Sequence, residues 1–165
     1  MEISPINDTK SAVEKYSKLV FGLALSNTGS KADADDVFQE TFLAYHQHTA
    51  RFNDEEHVKA WLIRTTINMS RRVTSSTWRK RRASLENDPK SDDFTLKTEE
   101  QTVIHNAINS LPDKYRIPIW LFYFAGLPTK SISKALKITD STVRSRLARG
   151  RTMLKDILGK EVQFL

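Results

Sequence analysis

Apolar residues recur at helical spacing along most of the chain. Val13, Tyr16, Val20 and Leu23 fall three or four apart, and the pattern stops at Asn27-Thr28-Gly29, a good terminator, which predicts a first helix. Ser30, followed three residues on by Asp33, resembles a capping box, and Asp33, Asp35 and Asp36 suit the positive end of a helix dipole, so a second helix starts there. Asn53, Asp54, Glu55 and Glu56 open a third in the same way, with Val58, Trp61, Leu62, Thr65 and Met69 on one face and Arg71 and Arg72 at its negative pole. After Ser110-Leu111-Pro112, a good helix start, the run IPIWLFYFAGL is expected to be buried, with Pro118 bending its first turns. Residues 129–136 then place Ile132, Ala135 and Leu136 on one side. Lys137-Ile138-Thr139 makes a turn, and residues 140–158, capped by Thr139 or Asp140, carry Val143, Leu147, Leu154 and Leu158. Helix, tight turn, helix is the spacing of a helix-turn-helix, whose second helix enters the major groove of DNA. No alternating strand pattern stands out, so the predicted fold class is all-α.

Composition divides this run of helices in two. Of the 165 residues, 26 are Lys or Arg and 20 are Asp or Glu, a net charge of +6 that favours an anionic partner. The charge is unevenly placed: residues 1–83 hold 13 bases and 10 acids, residues 84–101 hold 2 and 6, and residues 102–165 hold 11 and 4. The middle block, SLENDPKSDDFTLKTEEQ, is acidic, poor in large apolar residues and carries Pro89, the make-up of a flexible solvated linker. Two small helical domains, 1–83 and 102–165, are therefore expected on either side of it. No apolar run approaches the roughly 18 residues of a spanning helix, and the opening residues mix charges with apolar positions, so a soluble, cytoplasmic protein with no membrane insertion is expected. The absence of cysteine excludes disulfides, thiolate metal sites and cysteine nucleophiles.

Three constellations carry candidate chemistry. Asp33, Asp36, Glu40 and Gln47 fall in one stripe of the second helix, opposite Ala34, Val37, Phe38, Thr41 and Tyr45. The stripe has two readings, a solvated face or a docking surface for a basic protein partner, and an acidic face in a basic chain is hard to explain as a DNA contact. From Arg64 to Arg82 there are seven bases (Arg64, Arg71, Arg72, Arg79, Lys80, Arg81, Arg82) and no acid, interleaved with Asn68, Thr74, Ser75, Ser76 and Trp78. Phosphate contacts, hydroxyl donors and a stacking surface in one stretch point to nucleic acid ahead of a merely charged helix end. Trp61, inside an apolar pattern, reads as core. In the helix-turn-helix, Arg144, Arg146, Arg149 and Arg151 project from the second helix. Catalytic motifs fail: there is no HExxH, Walker loop, GxSxG or glycine-rich dinucleotide turn, and His46 and His48 lie on nearly opposite faces of a helix, poor for a shared metal. No catalytic residue, metal or cofactor is expected.

ADADDVFQETFLAYHQHTARF followed by VKAWLIRTTINMSRR resembles region 2 of bacterial sigma factors of the extracytoplasmic-function type, and INSLPDKYRIPIWLFYFAGL with SISKALKITDSTVRSRLARGRTMLK resembles their region 4. The resemblance implies a promoter-specificity subunit of RNA polymerase, sigma-70 family. By it, Asp36, Gln39, Glu40 and Phe42 match the DxxQETF pattern that docks on the clamp helices of the polymerase largest subunit, Asp33 of the same acidic stripe is expected to bind core polymerase beside them, and the flap of the second-largest subunit is a further contact. Residues 51–57, RFNDEEH, match the loop that captures an unstacked base of the minus-ten element, which brings in Asn53. Arg64, Asn68, Arg71 and Arg72 match the helix facing the melting strand, with Trp78, Arg79, Arg81 and Arg82 beyond it. Arg144, Ser145, Ala148 and Arg149, with Thr142, match positions facing the minus-thirty-five element, and Arg151 a phosphate contact. The resemblance also leaves room for an anti-sigma factor among the partners. Where the family often has an aromatic and two acids after GL, this chain has Pro128-Thr129-Lys130-Ser131, so the first helix of the helix-turn-helix is unusually basic. The alternatives are a stand-alone helix-turn-helix regulator with a helical sensor domain and a noncatalytic RNA adaptor.

Overall fold

The computed structural model describes residues 8–48, 51–77 and 99–159, and all regular structure among them is helical. The chain divides into two compact units, Met1–Lys90 and Ser91–Leu165.

The first unit holds α1 (Thr9–Thr28), α2 (Lys31–Gln47) and α3 (Glu55–Arg72), each packed on the other two, and a π-helical turn at Val73–Thr77 that continues α3. The three starts are capped as their side chains dictate. Asp8 accepts from the N–H groups of Lys10 and Ser11, Ser30 from Asp33, and Asp54 from His57, each cap contributing about 1 kcal/mol. Gly29, at φ 68°, ends α1 in the left-handed region that only glycine enters without steric cost. The core joins Ala12, Tyr16 and Val20 of α1, Phe42 and Tyr45 of α2, Phe52 of the connecting loop, and Val58 and Leu62 of α3, with Trp61 packed against it half-buried. A second cluster of small residues, Ala24, Ala34 and Val37, lies under Phe21, Leu25, Met69 and Val73. The buried stripe of α3 differs from the one its apolar spacing predicts. Ile63, Thr66, Ile67 and Ser70 are buried beside Val58 and Leu62, while Thr65 and Met69 are half-buried. Thr66 and Ser70 can be buried because each hydroxyl donates to the carbonyl four residues back, Leu62 at 2.6 Å and Thr66 at 2.7 Å.

The second unit holds α4 (Glu99–Asn109), α5 (Asp113–Tyr123), α6 (Thr129–Leu136) and α7 (Asp140–Leu158). Helix α4 takes in residues 99–101, which composition assigns to the linker. Within the apolar run, Ile117, Ile119, Trp120 and Leu121 are buried as expected, but Phe124 is 43% exposed, at the point where α5 has already ended. Helices α6 and α7 form the helix-turn-helix around Ile132, Ala135, Val143 and Leu147. Lys137 turns the chain in the left-handed region at φ 56°, and Thr139, rather than Asp140, caps α7 by accepting from the Thr142 N–H at 3.1 Å. Gly150 lets α7 lie directly on α5: a Cβ there would stand 2.8 Å from Ile119 Cγ1.

Candidate functional site

Three surfaces emerge from these helices. On α2 Ala32, Asp36, Gln39, Glu40, Leu43 and Gln47 are exposed within about 100° of the helix circumference, centred close to Leu43, with Asp35 and His46 also exposed along one edge. Leu43 is 51% exposed, so the stripe is an acidic and polar band with an apolar side chain in its middle. Asp33 and Phe42, expected on that face, are not on it. They are 1% and 5% exposed, because α1 and α3 pack on that side of α2; Phe42 belongs to the core and Asp33 to the buried first turn, its N–H donating to Ser30 Oγ at 3.3 Å. Their contribution is to hold the helix so that Asp36, Gln39 and Glu40 face outward.

The second surface runs from the loop before α3 along that helix. Arg64, Asn68, Arg71 and Arg72 lie within about 100° of one another; Asn68, Arg71 and Arg72 are exposed and Arg64 half-buried. The Arg72 guanidinium reaches Met69 Sδ at 3.7 Å. Trp78, Arg79, Arg81 and Arg82 lie outside the described residues. At the head of α3 the loop is tied down from several sides. Phe52, only 8% exposed, stacks on Tyr45 with ring centres 5.4 Å apart and on His48 at 4.8 Å, and meets Trp61 edge-on at 5.9 Å. The Tyr16 hydroxyl donates to Glu55 Oε2, and Lys15 Nζ stands 3.2 Å from the same oxygen. The Tyr16 hydroxyl, followed by Lys15, holds the Glu55 carboxyl below its usual range, while burial and then the carboxylate push the Tyr16 hydroxyl up. Asn53 is exposed at the loop tip. Sequence reasoning names Asn53 but misses the five-ring cluster of Tyr45, His48, Phe52, His57 and Trp61 behind it, whose only signal is the density of aromatic and histidine residues between positions 45 and 61.

The third surface is α7. Ser141, Arg144, Ser145, Ala148 and Arg149 are exposed along one side, with the small Ala148 near its centre between two arginines. Arg144 is held by Asp140 at 3.4 Å, one turn earlier. Thr142 is half-buried, and its hydroxyl pairs with that of Thr139 at 2.7 Å, which places it in the cap more than on the open face. Arg151 is also half-buried and donates to the Tyr123 hydroxyl at 3.2 Å, tying α7 to α5. Among the described residues no cluster of three or more His, Asp or Glu could hold a metal ion, and no helix is long and apolar enough to cross a membrane.

Comparison of the sequence with known proteins points to one family. Residues 12–83 match the family model of sigma-70 region 2, and residues 101–154 that of sigma-70 region 4. The chain is 30% identical over 130 residues to the RNA polymerase sigma factor SigZ of Bacillus subtilis, covering 75% of this chain and 72% of that protein. It is 28% identical over 156 residues to the ECF RNA polymerase sigma factor SigE of Mycolicibacterium smegmatis, covering 90% of this chain but only 60% of the relative's length. Among solved structures, the sigma factor RpoE of Bartonella quintana, seen in complex with the anti-sigma factor NepR, shares the fold with a TM-score of 0.73 at 19% identity, over 95% of this chain and 100% of that one.

Proposed function

The chain belongs to the extracytoplasmic-function branch of the sigma-70 family of RNA polymerase sigma factors, and from that premise we propose that it directs core RNA polymerase to promoters and helps to hold the melted strand, catalysing no bond chemistry itself. The observation that carries this reading is the pairing, in one chain, of an outward acidic stripe that suits a basic protein with two surfaces that suit DNA in different states. Asp36, Gln39, Glu40 and Leu43 dock on the clamp helices of the largest polymerase subunit, and the second unit also meets the flap of the second-largest. Asn53 and its loop take an unstacked base of the minus-ten element, while Arg64, Asn68, Arg71 and Arg72 grip the melting strand, joined by Trp78, Arg79, Arg81 and Arg82. On α7, Arg144, Ser145, Ala148 and Arg149 read the minus-thirty-five element, Thr142 flanks them, and Arg151 adds a phosphate contact. The first domain is residues 1–83, the linker follows, and the second domain, placed at 102–165 by composition, starts with α4 at Glu99. The work is done in the bacterial cytoplasm, and an anti-sigma factor, as seen on the structural neighbour, is a candidate regulator.

Purified core polymerase supplied with this protein starts transcription at specific sites of a genomic library and does not do so alone. A protein that leaves transcription unchanged but binds palindromic duplex as a dimer is a conventional helix-turn-helix regulator, and the proposal fails.

Base reading by α7 gives a second expected result. Arg144 and Arg149 lie about 140° apart around the helix, so they reach one groove by leaning in from its two sides. A bidentate arginine discriminates guanine by about 1–3 kcal/mol. Arg144→Ala or Arg149→Ala therefore relaxes preference at one upstream base pair, measured by binding to a set of single-base promoter variants. An equal loss on all sequences assigns the side chain to phosphate instead.

A further inference from the structure

His57 stands between the buried aromatic cluster and the exposed tip of the loop, and its imidazole is used on both sides. Its Nδ1 accepts the backbone N–H of Asn53 at 3.1 Å. Its own backbone N–H donates to Asp54 Oδ1 at 2.7 Å, the cap that starts α3. The ring meets Phe52 edge-on at 5.1 Å, and Phe52 is fixed in turn by stacking on Tyr45 and His48. The Nδ1 acceptor of the ring is thereby committed to a backbone N–H of the loop. The peptide of Asn53 has one obligatory donor, and this hydrogen bond fixes the plane of that peptide and hence the direction in which the exposed Asn53 side chain leaves the loop.

We propose that His57 is a positioning residue for base recognition: through Nδ1 it pre-sets the Asn53 peptide, so that the loop presents Asn53 to an unstacked base without ordering itself first. The inference rests on the assignment of residues 51–57 to base capture made above. A pre-set loop avoids the conformational entropy of ordering on binding, and the gain is specific to the base that Asn53 meets. The phosphate grip of Arg64, Arg71 and Arg72 is independent of it.

The test uses holoenzyme reconstituted from full-length variants and core polymerase, with a single-stranded DNA library randomised over a central block as probe, read by sequencing the bound fraction. His57→Phe keeps a ring against Phe52 and removes the acceptor. It is expected to lose about tenfold in preference at one base position while total binding of the library stays within about twofold. His57→Asn, whose Oδ1 falls close to the place of Nδ1, restores the preference. His57→Leu, which keeps an apolar side chain against Phe52 and carries no acceptor, serves as the second removal variant if H57F lowers the melting temperature, and it loses preference as H57F does. Wild-type preference retained in both removal variants, or H57N as impaired as they are, overturns the positioning role. A wild-type holoenzyme with no base preference on single-stranded DNA overturns the base-capture assignment, and this inference with it.

Discussion

Reversing Asp36 and Glu40 together to lysine weakens binding to core polymerase by about 3 kcal/mol, more than a hundredfold in Kd, and leaves folding nearly untouched. The two carboxylates lie one turn apart, both exposed, on the stripe centred near Leu43. Against a basic partner each contributes attraction that reversal turns into repulsion, so the loss exceeds that of simple truncation. On the free protein, surface substitutions of this kind change stability by about 0.5 kcal/mol. Neither side chain caps a helix: Ser30 does so for α2, and Asp33, the acid in the first turn, stays in place. A fluorescence titration against core polymerase, beside a circular-dichroism melt of the free variant, separates the two effects. Helical signal lost together with binding makes the carboxylates structural and ends the docking assignment.

How much of this surface a sequence can announce depends on whether its chemistry is local. The caps at Ser30 and Asp54 are legible because a side-chain oxygen and an N–H two or three residues on settle them without the rest of the fold. The helix-turn-helix is legible for the same reason, its two apolar stripes being short and close in sequence. Asp33 shows the opposite case. Its spacing puts it with Asp36 and Glu40, but it stands about 80° around the helix from Leu43, and the packing of α1 and α3 on α2 decides that this angle is inside. Helix α4 is hidden likewise: its start, Glu99-Glu100-Gln101, has the composition of the acidic linker, and its few apolar residues become informative only once Ala107 and Ile108 are buried in the second unit. His57 reads in sequence as a lone histidine, since its partner is a backbone N–H and backbone donors carry no residue signature.

On the proposed reading the two units divide the work by what each can do to DNA, and the division has a measurable consequence. Helix α7 presents Arg144, Ser145, Ala148 and Arg149 on one exposed side, a form that fits base edges displayed in an intact major groove. The first unit has no helix-turn-helix; it offers a basic helix face and a loop tied to an aromatic cluster, which suit a backbone and an unpaired base. Unstacking a base costs about a few kcal/mol, and a small domain acting alone meets that cost only where the DNA is already open. Residues 1–83 therefore bind a single-stranded minus-ten oligonucleotide more tightly than the same sequence as duplex. The second unit shows the reverse preference on upstream DNA, tested as residues 99–165 so that α4 is kept whole. Each fragment carries its own buried core, Val20, Leu23 and Leu62 in the first and Ile119, Leu121, Ile132 and Leu154 in the second, so each is expected to fold alone. Both affinities fall steeply with added salt, because neutralised phosphates release counterions: four phosphate contacts on duplex give a slope of about −3.6 in log K against log salt. Titrating both fragments against both oligonucleotide forms at two salt concentrations decides the matter. If both prefer duplex equally, strand opening lies wholly with the polymerase, and the loop and basic face of α3 serve only to hold the duplex in place.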